Sequence, residues 1–335
     1  MRLKRVLLIS DGRPGHYRQS EGVVAALRRH APVDVDRLEL RLPAFLPKAL
    51  VPKLGRVLPP AWTLRLLHGI DPGALRRPDV IVSSGGATLG ANVALARLLG
   101  APNVFSGSTR GFPLAAFRLV LTPYASVAAP PKVVAGPKPT PFDPDPIPAP
   151  RPLPARGGEK GIRVSLLVGG PTPYARFAGD DWLRLAALTE ALVVQWGGHV
   201  TVVTSPRTPD EAYAHLLPLA EASGGAVTVI DYRTAGPGSI DTAFDCDLLL
   251  VTSDSMSMMT EAALSRRPAV ALAPASVAPN KDDEAIAGLV AAGWLAVLPL
   301  ASTDAAALIE KATALAPIGH NHLDRLADLL SAALA

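Results

Sequence analysis

Cysteine is almost missing from this chain. Cys246 is the only one in 335 residues, so no disulfide can form within the chain and cysteine-based zinc sites are excluded. A lone thiol also fits a reducing compartment. Aromatic residues are scarce, at 5%, and no Lys/Arg block exceeds three residues. A nucleic-acid surface gathers cations together with stacking rings, so no nucleic-acid partner is expected. Long apolar runs are lacking as well. No stretch approaches the roughly 18 residues that a membrane-crossing helix needs. The opening run Val6-Leu7-Leu8-Ile9 stops at Asp11, too soon for a signal-peptide core, and reads as a strand.

What is present suits two folded domains. The length allows two cores, and apolar residues make up 49% against 19% charged. The net charge of +4 is a mild excess that fits an anionic small ligand or an anionic membrane surface equally well. From Pro130 to Pro154, eleven of 25 residues are proline. Proline fixes φ and removes a donor, so this segment reads as an extended connector. It ends in the glycine-bearing "ARGGEKG". The expected division is residues 1–129, a connector over 130–161, and 162–335, with the last helix free to pack back on the first domain.

On each side of the connector, short apolar runs alternate with helical stretches. "KRVLLIS", "DVIVSS", "NVFS" and "RLVLT" precede it. "RVSLLVGG", "HVTVVTS", "AVTVID", "DLLLVTS" and "AVALAP" follow it, and then two or three closing helices. Continuous apolar strands of this length suit parallel sheets covered on both faces. The expected class is therefore α/β, with two Rossmann-like, doubly wound domains facing a cleft. Ligands of such sheets bind beyond the carboxyl ends of the strands, so the loops after the strands carry the functional candidates. "TPDE", Thr208 to Glu211, is read as a capping box with Thr208 as N-cap.

The first loop, "SDGRPGHYRQ", is neither a P-loop nor a GxGxxG fingerprint. It offers Gly12, Arg13 and Gly15 for close backbone approach, with Asp11 and His16 as rivals for a general base. Gly85 and Gly86 in "SSGGAT" and Arg110 in "SGSTRGF" lie in later loops of the same half. In the second half, Gly169 and Gly170 are read as approaching a phosphate, with Arg176, Ser205 and Arg207 near them. "TSDSMSMMTEA" sets Asp254, Ser255 and Ser257 at a strand-to-helix corner, where one of them serves as N-cap. Glu261 follows about one turn later, and Met256, Met258 and Met259 are read as packing. "APNKDDE" reads as a solvated loop. His320 and His322 read as a surface pair at a helix start.

"SDGRPGHYRQSEG", "VGGPTPY", "TSPRTP" and "TSDSMSMMTEA" resemble, in order and spacing, the signature blocks of the mitochondrial-fission elongated-mitochondria family of plants and its bacterial relatives. Through that family the chain is similar to the GT-B glycosyltransferases that use nucleotide-sugar donors. The resemblance implies a GT-B fold with the donor in the C-terminal domain and the acceptor in the N-terminal one. It implies that Glu261 holds the donor ribose and that Asp254, Ser255, Ser257, Gly169 and Gly170 surround the diphosphate. His16, or Asp11, is implied as the base. "DPD" at Asp143 to Asp145 falls inside the connector and is no metal motif, so metal-independent chemistry without a cofactor is expected, with UDP or another nucleoside diphosphate on the donor. Alternatives on the same fold are a nucleotide-sugar epimerase or hydrolase, and a non-catalytic adaptor.

One further stretch bears on the acceptor. Arg41 to Gly69 mixes Leu, Phe, Val and Trp with Lys and Arg, and prolines break it. It reads either as helix packed on the sheet or as a segment lying on an anionic bilayer. The second reading expects a lipid-linked acceptor and a cytoplasmic chain attached to the inner face of the membrane.

Overall fold

The computed structural model describes residues 4–41, 47, 50–154, 161–236 and 243–335. It comprises two units, Met1–Phe142 with His322–Ala335, and Asp143–Asn321.

The first unit is built on β1 (Lys4–Ser10), α1 (Pro14–His30), β2 (Val33–Glu39), α2 (Val51–Val57), α3 (Pro60–His68), β3 (Val80–Ser84), α4 (Leu89–Leu99), β4 (Asn103–Ser106), β5 (Leu119–Thr122) and β6 (Val133–Ala135). The strands form one parallel sheet in the order β2-β1-β3-β4-β5-β6. Alternate side chains of a strand point to opposite faces, and here both faces are covered. Val6, Leu8, Val80 and Val82 pack with Val23 and Leu27 of α1. Leu7, Ile9 and Ile81 pack with Leu64 of α3 and Ala91 and Leu95 of α4. That two-sided burial explains the unbroken apolar runs. β2, at the edge, keeps the alternating polar pattern of a half-exposed strand.

The proline-rich segment is more tied down than an open connector. β6 lies inside it and pairs in parallel with β5. The residues Lys132 to Gly136 are free of proline, so the missing donors do not prevent an edge strand there. Farther along, proline carbonyls still accept hydrogen bonds. Arg267, only 1% exposed, donates to the carbonyls of Pro148, Ser265 and Cys246. Arg151 joins Arg163 in holding the buried Asp247. Burial opposes the Asp247 charge, but the two guanidiniums and two backbone N–H groups hold its carboxyl far below the usual range. Most of "ARGGEKG" lies outside the described residues.

The second unit contains β7 (Arg163–Leu167), β8 (Ala175–Arg176), α5 (Gly179–Trp196), β9 (His199–Val203), α6 (Asp210–Ala222), β10 (Val227–Ile230), α7 (Tyr232–Ala235), β11 (Leu248–Thr252), α8 (Met256–Leu264), β12 (Ala269–Ala273), β13 (Ser276–Val277), α9 (Asp283–Ala291), β14 (Ala296–Pro299) and α10 (Ala305–Thr313). Its main sheet is parallel in the order β10-β9-β7-β11-β12-β14. β14 stands where only closing helices were expected. It is four residues long, stands at the sheet edge and alternates buried with exposed positions.

The last helix, α11 (His322–Leu334), belongs to the first unit. Leu323, Ala327 and Leu330 join the core against α1, and Arg29 pairs with Asp324 at 3.0 Å. This corrects the reading of His320 and His322 as a surface pair. His320 is exposed, whereas His322 is buried at the start of α11, with Nε2 3.4 Å from the carbonyl of Thr140. No described helix is long and apolar enough to cross a membrane.

Candidate functional site

Each sheet has a point where the winding reverses. In the first unit the chain leaves β1 for β2 on one side and resumes with β3 on the other. In the second, β9 and β10 lie on one side of β7 and β11 on the other. At such points the loops diverge and leave a crevice beyond the strand ends. The quoted loops of both halves stand there.

At the first, Asp11 follows β1 and Pro14 opens α1. Arg13 is the N-cap residue, but no side chain caps this helix. Gly12 adopts φ +73°, the left-handed region that glycine takes at least cost, and its N–H donates to Ser10 Oγ. The tight turn brings His16, in the first turn of α1, back over Asp11. Nδ1 of His16 lies 2.9 Å from Oδ2 and 3.2 Å from Oδ1 of Asp11. The two residues read as rivals for one role therefore form a dyad. The Asp11 side chain is 2% exposed and that of His16 29%. Burial works against the Asp11 charge, but the His16 hydrogen bond and charge, with the Arg13 amide and charge, leave its carboxyl below the usual value. A carboxylate at Nδ1 fixes the tautomer that donates there and leaves the Nε2 lone pair available. Nε2 has no partner among the described residues.

Two glycines after β3 complete this corner. A Cβ on Gly85 would lie 2.1 Å from Nδ1 of His16, and one on Gly86 would lie 2.6 Å from Nε of Arg110. The imidazole and the guanidinium thus rest on consecutive glycines. Arg110 itself takes φ +46°. Gly15 anchors the helix start differently, its carbonyl accepting from Nε2 of Gln19. Oε1 of Gln19 in turn accepts from Ser84 and Ser106, tying α1 to the ends of β3 and β4.

At the second corner the same residue types are used otherwise than phosphate contact would require. The Gly169 N–H donates to Thr252 Oγ1 at 2.7 Å and the Gly170 N–H to Asp254 Oδ2 at 3.2 Å. A Cβ on Gly169 would lie 2.2 Å from Asp254 Oδ2, and one on Gly170 would lie 1.8 Å from the carbonyl oxygen of Arg207. Both glycines are needed because protein atoms close on them. The Asp254 side chain is fully buried and also pairs with Arg207 at 2.6 Å. It accepts from Thr252 Oγ1 as well.

Thr208 does not cap α6. The N-cap position is Pro209, and the Thr208 hydroxyl lies 2.8 Å from the carbonyl of Val168 and 2.9 Å from that of Gly169. It also accepts from the Ser205 N–H. Beginning the helix one residue later releases this hydroxyl to hold the glycine loop. Neither Thr208 nor Thr252 carried a sequence signal for that work.

The groups left over lie at the start of α8. Ser255 is its N-cap and accepts from the Met258 N–H. The amides of Met256 and Ser257 find no acceptor among the described residues, as expected for the first turn of a helix. Ser257 is partly exposed, Met256 and Met259 are buried, and Glu261 is 4% exposed. The loops after β7 and β12 pair as the antiparallel ribbon β8–β13. Those strands flank β11, so the ribbon bridges across the strand that feeds α8. It carries Arg176 opposite Ser276 and leaves Tyr174 exposed. Among the described residues Arg176 has no ion-pair partner, whereas Arg207 is held by Asp254. No three His, Cys, Asp or Glu side chains gather to hold a metal ion among the described residues.

Several solved structures share this architecture. MurG of Acinetobacter baumannii matches with a TM-score of 0.52 and 16% identity, covering 98% of this chain and 99% of that one. The UDP-GlcNAc 2-epimerase of Methanocaldococcus jannaschii matches with a TM-score of 0.57 and 13% identity, over 98% and 99% of the two chains. The glycosyltransferase of kitacinnamycin matches at 0.51 and 14%, over 100% and 94%. Identities this low show a shared fold, here GT-B, and nothing finer. No curated protein matches the chain in sequence. The sequence profile described as mitochondrial fission ELM1 matches residues 14–321, and the chain belongs to that family.

Proposed function

We propose that this protein is a glycosyltransferase that moves a sugar from a nucleoside diphosphate to a hydroxyl acceptor, lipid-linked and met at the cytoplasmic face of a membrane. The observation that carries the reading is the Asp11–His16 dyad at the first reversal point, with Nε2 of His16 unpartnered among the described residues. Nε2 takes the proton of the acceptor hydroxyl as its oxygen attacks the anomeric carbon. The bond from that carbon to the diphosphate oxygen breaks, and the nucleoside diphosphate leaves with the electron pair. Asp11 stabilises the imidazolium that forms, which is why its burial beside Nδ1 matters.

The second reversal point is the donor side. The free amides of Met256 and Ser257, the Ser257 hydroxyl and Arg176 receive the negative diphosphate. Glu261 takes the ribose hydroxyls. Asp254, Arg207, Ser205, Gly169 and Gly170 hold the loop in shape.

The test is thermal denaturation of the full chain with a panel of nucleoside diphosphates and nucleotide sugars, followed by turnover. One nucleotide should raise Tm through binding to the folded state, and Arg176→Ala and Glu261→Ala should reduce the rise. His16→Ala should retain the rise and lose transfer. Silence from the whole panel would sink the reading in favour of an adaptor. Acceptor-independent conversion of the nucleotide sugar would favour an epimerase or hydrolase.

A further inference from the structure

Two short helices of the first unit present apolar and cationic side chains to solvent together. On α2 the exposed positions are Lys53, Arg56 and Val57, and on α3 they are Trp62, Arg65 and Leu66. Each set is spaced i, i+3, i+4 and so forms one face of its helix. Val51 and Pro52 on α2, and Thr63, Leu64 and Leu67 on α3, are buried instead. Gly55 backs directly onto α4, where a Cβ would lie 2.9 Å from Cα of Gly90. The helices are pinned on one side and uncovered on the other.

The uncovered side groups its apolar side chains. Val57 is 71% exposed, Trp62 60% and Leu66 59%, and they stand on two adjoining helices, whereas single exposed apolar side chains are ordinary. Arg41 to Gly69 contains no Asp or Glu. Asp71 reaches Arg65 at 3.5 Å, with both side chains largely in water, where such a pair contributes little.

We propose that this face docks on an anionic phospholipid bilayer. Apolar tips interleaved with Lys and Arg match a membrane interface. The tips enter the boundary of headgroups and acyl chains, and the long basic stems lie along it with their charges at the phosphates. An indole ring is favoured at that depth. A dry protein interface suits the set poorly, because lysine is depleted where such interfaces close.

The face is also connected to the candidate base. Nη1 of Arg56 donates to the carbonyl of Gly111 at 3.5 Å. The neighbouring Arg110 covers Gly86, and Gly85 lies under His16. A docked first unit therefore brings the His16 loop toward hydroxyls of membrane-borne molecules. That consequence rests on the glycosyltransferase reading; the docking does not.

The experiment is flotation of the full chain with vesicles of phosphatidylcholine alone, and of phosphatidylcholine with about one-third phosphatidylglycerol. It is run at about 0.05 M and about 0.5 M salt, which shortens the screening length several-fold. Wild type should float with the anionic vesicles at low salt, and binding should fall at high salt. Trp62→Ser with Leu66→Ser should lower binding at least tenfold, and Lys53→Glu with Arg65→Glu should do the same, since one cation near such a surface is worth about fivefold. Tryptophan emission should shift to the blue with vesicles in wild type and not in Trp62→Phe. All the positions are exposed, so melting curves and nucleotide-induced Tm shifts should stay those of wild type. No flotation, or equal flotation of wild type and the double variants, overturns the proposal. So does equal binding to neutral vesicles. A wild-type dimer that Trp62→Ser dissociates would overturn it in favour of a second copy of the chain.

Discussion

The imidazole of His16 lies in the space that a side chain on Gly85 would need, with Nδ1 2.1 Å from the position of an added Cβ. Gly85 also takes φ +89°, which L side chains adopt only under strain. Gly85→Ala should therefore displace His16 and cost about 1–3 kcal/mol of stability. Sugar transfer should fall as far as in His16→Ala, while the nucleotide-induced rise in Tm persists. An active Gly85→Ala protein with an unmoved melting temperature would separate this glycine from the base.

Asp11 gives a second, independent handle on the same imidazole. In Asp11→Asn an amide replaces the acceptor at Nδ1, which frees the other tautomer and leaves any imidazolium unsupported. Turnover should drop by about 10²-fold or more, the usual worth of a positioned general base, with KM for the nucleotide sugar unchanged. Stability should respond to pH as well. The folded Asp11 carboxyl is held below its ordinary value against the cost of burial, by the His16 hydrogen bond and charge and by Arg13. Its contribution is therefore present above the unfolded carboxyl's pKa, near 3.8, and is lost as pH falls through the lower folded value. Acid titration of the urea midpoint should be shallower in Asp11→Asn than in wild type.

The second corner separates a residue that braces from one with no ion-pair partner among the described residues. Asp254 is buried against Arg207, Thr252 and the Gly170 amide. Asp254→Ala leaves all three without their partner and should cost about 2 kcal/mol, reduced from a fully buried pair because Arg207 is part-exposed. Arg176 stands exposed on the β8–β13 ribbon. Arg176→Ala should leave the urea midpoint alone and weaken nucleoside diphosphate binding about tenfold. Equal nucleotide affinity in wild type and Arg176→Ala would remove it from the donor side.

These contrasts mark what the sequence could convey. The two sheets were legible because strands buried on both faces are written as unbroken apolar runs, as in Val80 to Val82 and Leu248 to Val251. The two-residue strands β8 and β13 carry no such run, and the apolar run of β14, Leu295 to Leu298, lies between two helices and reads equally well as part of one. The positions of the corners followed from the strand ends, where the loops of an open parallel sheet diverge. The division of labour within them did not. The spacing of Asp11 and His16 does not say that a glycine turn folds one onto the other. Gly169 and Gly170 look alike to a phosphate and to a buried carboxylate, and only the packing of Asp254 tells them apart. Thr208 had every local mark of an N-cap and was drawn off by carbonyls of β7's loop, distant in sequence.

His68 offers a test of the fold at the helix that backs the proposed docking face. It ends α3, is 5% exposed, and neither ring nitrogen has a hydrogen-bond partner among the described residues. Burial alone pushes its pKa down from 6.5 to about 4. The folded chain thus keeps the ring neutral while the unfolded chain protonates it readily. Stability conferred by the neutral ring is complete above about pH 6.5 and is lost as pH falls toward 4. Between about pH 7.5 and about pH 5 the loss should reach about 2 kcal/mol, given roughly 1.4 kcal/mol per unit of difference. His68→Leu replaces two unsatisfied polar atoms with a side chain of suitable polarity, so it should be at least as stable at neutral pH. Its urea midpoint should also change less across that interval. If wild type and His68→Leu lose stability in parallel, the ring is not the group that titrates, and α3 is packed more loosely around it than its burial implies.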